Sequence, residues 1–338
     1  ALERAGLKPV VLSSKEGLIL LSGTTSVTAF ASLAIYDAQT LSLTADIAGS
    51  FTLEVLKGTL MAMDERLMAV RPHPDQINTA ANIRAILKDS PILERYRGHR
   101  VQDALSIRCM PQLHGPVKKA VKDAQTTLAI ELNSSVDNPL IFDEEDGGAV
   151  ALMGCNADGT YAGMASDNLC IAITDLCKMS NSRIDRLLNS LVSELPAFPN
   201  KNADFNNGLM MIQYASAGLQ GELRILAHPA VVDNLTTCAN QEDYVNMGYN
   251  AAKKAYDSMH LAKYILAAEL ICDGQALDCY EDKRCAKGTQ AIYDLLRSKV
   301  PEMDNDMPLT PYLEAVAQQI IDRAYIRTVE ASVGALKF

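Results

Sequence analysis

The sequence predicts a mainly α-helical fold, a bundle of long helices, on three observations. Aromatic residues are scarce, 5 % with no tryptophan, although 48 % of the chain is hydrophobic. The core is therefore built from Ala, Leu, Ile, Val and Met, which suits helix-on-helix packing better than a β-sandwich. Proline is absent from Asp243 to Ala276, where Val245, Ala252, Tyr256, Met259, Leu266 and Leu270 recur at helical spacing. Finally, 338 residues suffice for a large core, and no repeat, low-complexity tract or linker divides them. A single helical domain over 1–338 is the expectation.

Each element follows from local pattern. In KEGLILLSGTTS (15–26), Gly23 lies between Ser22 and Thr24 and breaks an apolar run, which implies a kink or a close backbone approach. VQDALSIRCMPQLHG (101–115) fits neither the helical nor the strand period. Pro111 disfavours helix at Met110, so an irregular lead-in to a helix near Pro116 is expected. Over 116–133, Ala120, Val121, Ala124, Leu128 and Leu132 line one face, and Lys118, Lys122 and Asp123 are expected to face out. Residues 137–160 begin Asp-Asn-Pro and carry short apolar runs around Gly147–Gly148, which reads as a small hairpin near 138–153. Stretches 161–191 and 207–227 read as helices separated by a Pro/Asn-rich loop over 195–207. In ANQEDYVNMG (239–248), Asn240 is a competent N-cap, and Glu242 and Asp243 suit the first turn of the longest helix. Residues 299–311 hold three prolines and form a surface turn joining the last helices.

Bulk properties narrow the function. A net charge of −10 without a strong basic patch argues against nucleic-acid binding. The eight cysteines form no C-x-x-C pair, which points to reduced thiols in a cytoplasmic protein rather than a zinc site or disulfide framework. No signal peptide and no run of about 18 apolar residues is present, so no membrane association is expected. The histidines show no metal-ligand spacing, no metal is expected, and no Ser/His/Asp order compels a hydrolase.

Polar islands interrupt the apolar pattern. Arg108 is the informative residue of the first, because a buried guanidinium needs a carboxylate, best bound in bidentate fashion. That carboxylate belongs either to a ligand or to a structural partner such as Asp103. Gln102 accompanies it, while Asp103 and His114 read as structural. In the others, Asn156 caps a helix or reaches a ligand, and Glu242 beside Gln241 serves either the helix start or proton transfer.

Taken in order, KEGLILLSGT (15–24), VQDALSIRCMPQ (101–112), SVDNPLIF (135–142), NNGLMMIQ (206–213), LAHPAVVD (226–233) and ANQEDYVNMG (239–248) resemble the histidine/phenylalanine ammonia-lyase family. The resemblance spans essentially the whole chain. It implies a mainly α-helical fold, a D2 tetramer, active sites assembled from several subunits, and elimination of ammonia from an aromatic amino acid. It also implies an electrophilic methylidene-imidazolone made from an internal Ala-Ser-Gly. That triplet does not occur in these 338 residues, which match the family from about one third of its length onward.

By this resemblance, Arg108 holds the substrate carboxylate, Gln102 and Asn156 line the same pocket, and Glu242 is the acid facing the amine or side chain of a histidine-like substrate. Three positions depart from the pattern: Leu105 replaces a tyrosine, Ser22 an asparagine, and Ala157 an aromatic residue. The expected protein is thus a subunit or large fragment of an aromatic amino acid ammonia-lyase, acting on a small-molecule substrate that is histidine-like. It works as a homo- or hetero-oligomer with a complementary N-terminal lyase chain that carries the electrophile. Two alternatives are an elimination of trimethylamine from an imidazole betaine without the prosthetic group, and a non-catalytic partner subunit.

Overall fold

The computed structural model describes residues 2–202 and 205–338. Its long helices are α2 (Thr25–Val55), α7 (Met110–Glu131), α8 (Thr160–Leu188), α10 (Met210–Leu226) and α11 (Gly248–Asp278). Preceding them or between them lie α1 (Glu16–Ile19), α3 (Glu65–Ala69), α4 (Pro74–Ile86), α5 (Pro91–Arg95), α6 (Leu105–Arg108) and α9 (Ser190–Ser193). Helices α12 (Lys287–Arg297), α13 (Thr310–Ile321) and α14 (Ala324–Val333) close the chain. The hairpin is present as β1 (Leu140–Asp143) and β2 (Ala149–Leu152), antiparallel with Leu140 opposite Leu152.

The centre of the bundle is α11, packed mainly on α8 and α2, with α7 against α4 and α8. In α2 every residue from Thr40 to Val55 is buried, and in α11 every one from Ile265 to Asp278. A helix buried all round shows no amphipathic stripe. Its hydroxyls turn back on their own backbone: Ser42 donates to the Ala38 carbonyl at 2.7 Å and Thr44 to that of Thr40 at 2.9 Å. The N-terminal ends of α8 and α11 touch through glycines, since a Cβ on Gly163 would stand 2.8 Å from Gly248 Cα.

Several elements differ from the sequence expectation. Helix α7 starts at Met110, not near Pro116, because Pro111 occupies the first turn, where its missing N–H is no loss. Lys118 faces inward and is fully buried, whereas Leu132 is 61 % exposed. The loop expected over 195–207 is non-helical over 194–202 and 205–209, and Ala203 and Asp204 lie outside the described residues. No helix among the described residues is long and apolar enough to cross a membrane.

Candidate active-site halves

Gln102, Leu105 and Arg108 belong to a segment beside the C-terminal parts of α2 and α8. Their segment is tied down at three points. Arg100 Nη1 donates to the Leu56 carbonyl at 2.9 Å, and the Thr59 N–H donates to Asp103 Oδ2 at 2.7 Å. From α8, Arg183 Nη1 donates to the Ser106 carbonyl at 3.3 Å. Three residues apart in α6, Leu105 and Arg108 share a side of that turn. Leu105 is 62 % exposed and Gln102 is exposed, whereas Arg108 is half-buried.

Arg108 Nε is buried and has no hydrogen-bond partner among the described residues. Asp103 does not serve it, for Oδ2 is taken by Thr59 and Oδ1 is itself unpartnered. Burial raises the Asp103 carboxyl above its ordinary value, opposed by the Thr59 N–H and nearby arginines. A buried donor left unmet costs about 1–3 kcal/mol, so an incoming carboxylate gains from meeting it.

Ser22, Asn156, Ala157 and Glu242 lie at the other end of the bundle. Gly23 has φ +92°, and a Cβ there would meet the Val136 carbonyl oxygen at 2.4 Å, so the close approach expected from the sequence is made. Lys15 pairs with Asp137 at 2.7 Å and donates to the Pro139 carbonyl at 2.6 Å. Gly154 N–H donates to Asn138 Oδ1 at 2.8 Å, and Asn156 Nδ2 donates to the Ser135 carbonyl at 3.4 Å. Motifs 15–24, 135–142 and 154–157 therefore form one stitched surface.

Glu242 is not in a first helical turn, and Asn240 is not a helix cap. Asn234 instead clasps this stretch: its Nδ2 donates to the Asp243 carbonyl at 3.0 Å, and its Oδ1 accepts from Val245 N–H at 2.9 Å. The helix begins only at Gly248, whose N–H donates to Asn246 Oδ1 at 3.1 Å. Cys238, Ala239 and Asn240 are all left-handed, with φ of 49°, 53° and 71°. Such strain in consecutive non-glycine residues is a mark of functional loops. Thr237 Oγ1 donates to Glu242 Oε2 at 2.6 Å, and this bond, with help from Cys238, lowers the exposed Glu242 carboxyl and keeps it ionised. The loop abuts the start of α8, where Tyr244 hydroxyl lies 3.3 Å from Thr160 Oγ1. Behind it, Asp167 accepts from the Ala230 and Val231 N–H groups at 2.7 and 2.9 Å and pairs with Lys254 at 2.9 Å.

The two groups are far apart within one chain. Thr160, beside the Glu242 loop, and Arg183, bonded to α6, belong to the same helix, and 23 residues at 1.5 Å each separate them by about 35 Å. No single amino acid bridges that span. The chain therefore carries two separate groups of candidate residues, a cationic one with Arg108 and an anionic one with Glu242. Helical periodicity pointed to neither the Asp167 clamp nor the buried ions described below. Their signal was charged residues set inside apolar helical runs.

The chain is thus a long-helix bundle with one group of polar candidate residues near the C-terminal part of α8 and another near its N-terminal end. A family model described as aromatic amino acid lyase matches residues 1–298, and the chain belongs to that family. It is 40 % identical over 333 residues to a histidine ammonia-lyase of Alkaliphilus oremlandii, covering 98 % of this chain and 65 % of that one. The chain thus spans a little under two thirds of that relative's length. Among solved structures it resembles histidine ammonia-lyase from Trypanosoma cruzi, at TM-score 0.89 and 33 % identity, covering 98 % of this chain and 63 % of that one. It also resembles the ergothioneine-degrading ergothionase of Treponema denticola, at TM-score 0.87 and 25 % identity, covering 96 % and 65 %.

Proposed function

We propose that this chain builds the substrate-gripping walls of an aromatic amino acid ammonia-lyase, with a histidine-like substrate, in pockets closed between chains. Arg108 binds the substrate carboxylate, assisted by Gln102. From a neighbouring copy, Asn156 and the ionised Glu242 face the amine and side chain, and Glu242 holds or accepts a proton there. In the elimination, the β-carbon loses a proton, a carbon–carbon double bond forms, and the C–N electron pair leaves with ammonia. The observation that carries the reading is the buried, partnerless Nε of Arg108, which the charge of a zwitterionic substrate satisfies while its ammonium suits Glu242.

When bound, the methylidene-imidazolone supplies an electrophile that activates the amine for departure. The residues here do not build a cradle for it. The Leu105 side chain offers no polar atom, and the Asn156 amide donates to the Ser135 carbonyl. We assign that group to residues outside these 338.

Calorimetric titration with L-histidine tests the reading. Arg108→Ala is expected to weaken binding by about 2–5 kcal/mol, the range for uncoupling a buried charge pair. Unchanged affinity refutes the assignment. The departures at Ser22, Leu105 and Ala157, together with the likeness to ergothionase, favour a second reading: loss of trimethylamine from an imidazole betaine, whose quaternary nitrogen leaves unaided. Trimethylamine released by the purified chain alone selects it over the first. Histidine binding without ammonia release, in every assembly, selects a non-catalytic partner subunit.

A further inference from the structure

Arg183 is fully buried between α2, α8 and α11. Its Nε and Nη2 both engage the Glu269 carboxylate, Nη2 to Oε2 at 3.0 Å, leaving Nη1 to reach the Ser106 carbonyl at 3.3 Å. Ser106 belongs to α6, a single turn that cannot satisfy its own carbonyls. Glu269 is held in turn by the Ser180 hydroxyl and by Thr52 Oγ1 at 2.9 Å. Asp273 extends the chain of bonds, its Oδ1 lying 2.7 Å from Thr52 Oγ1. Gly49 leaves room for the arrangement: a Cβ there would stand 3.4 Å from Arg183 Cζ and 2.3 Å from Met110 Sδ. A buried ion pair adds little stability over apolar residues of equal size, so its place in the fold invites another explanation.

We propose that Arg183, locked by Glu269, is a positioning residue for the carboxylate half-site. It holds the α6 turn so that Arg108 presents its guanidinium to the substrate. The proposal rests on the reading of Arg108 given above. No group other than Arg183 bonds a carbonyl of α6 from outside the segment among the described residues.

Arg183→Lys keeps a cation against Glu269, but one ammonium cannot span both the carboxylate and the Ser106 carbonyl. Hydrogen exchange followed by mass spectrometry on the native assembly reads the consequence directly. The N–H groups of Ile107 and Arg108, bonded to the Ala104 carbonyl, and of Cys109, bonded to that of Leu105, should exchange about tenfold faster. Peptides from α2, α8 and α11 should be unchanged. L-Histidine should bind about tenfold more weakly, whereas imidazole, which lacks the carboxylate, should bind as to the wild type. Unaltered α6 exchange, loosening of all helices together, or a loosened α6 with full histidine affinity each overturns the proposal. Glu269→Gln, which frees the guanidinium while preserving shape, is the second variant and should give the same pattern. Arg108→Ala run alongside separates the two ideas. Undiminished histidine binding there defeats the reading of Arg108 itself, whereas weakened binding there with normal binding in Arg183→Lys defeats only the role of Arg183.

Discussion

Replacing Lys118 by methionine should destabilise the chain by about 3 kcal/mol at pH 8 and by clearly less at pH 6. Fully buried, Lys118 Nζ donates to Asp46 Oδ2 at 2.5 Å, Thr79 Oγ1 at 2.9 Å and the Lys337 carbonyl at 3.4 Å. Burial works against the Asp46 charge, but Lys118 and then His114 outweigh it and lower the carboxyl below its ordinary value. After the substitution Asp46 keeps bonds from Asn82 Nδ2 and His114 Nδ1, both at 2.8 Å, yet has no lysine cation. Breaking a buried pair costs about 3–5 kcal/mol, and the surviving bonds place this case at the low end.

His114 supplies the pH dependence. Burial holds it below its ordinary 6.5, with the Arg183 and Lys118 charges acting in the same direction and Asp46 opposing. Its folded value is thus depressed, the unfolded chain takes up the proton first, and native stability falls as pH drops from about 6.5 toward the folded value. Without Lys118, Asp46 draws the proton onto His114, and imidazolium replaces the lost cation as pH falls. Urea unfolding at fixed chain concentration, followed by circular dichroism at pH 8, 7 and 6, should show the gap between variant and wild type narrowing. A gap that is absent at pH 8, constant, or widening toward pH 6 refutes the argument.

Other consequences are simpler. Gly163→Ala gains about 1 kcal/mol of helix propensity but drives a methyl to within 2.8 Å of Gly248 Cα, so a net loss and a lower thermal midpoint are expected. In Gly23→Ala, the left-handed φ and the Val136 carbonyl should loosen the junction before α2, read as faster limited proteolysis between residues 15 and 25 with the bundle intact. Burial pushes the Cys170 thiol up to about 11, and Cys177 and Cys272 upward too, so these should resist iodoacetamide at pH 8 until the chain unfolds.

Sequence patterns revealed the helical class, the hairpin and the approximate spans of α8, α10 and α11, because apolar periodicity and Pro/Asn punctuation act locally. They placed Lys118 on the outer face, since a period carries no record of Asp46 in α2 awaiting a cation. They likewise put Glu242 in a helix, for the Asn234 clasp that diverts Asp243 and Val245 is a tertiary bond. Helix α2 was not marked out, as burial on all sides erases the stripe that reveals a surface helix. The candidate site residues are legible only through the family motifs that contain them. Their division into distant halves was invisible, because order along the chain says nothing of which end of a helix a loop returns to.

In the proposed pocket Arg108 and Glu242 come from different copies, and a mixing experiment tests this directly. Arg108→Ala and Glu242→Gln chains, each unable to grip histidine fully, can be unfolded together, mixed equally and reassembled with whatever complementary chain the native assembly contains. If the halves come from different copies, roughly a quarter of the pockets unite two intact halves, and that fraction of wild-type histidine-binding capacity and ammonia release returns. A mixture no better than either parent variant contradicts the account.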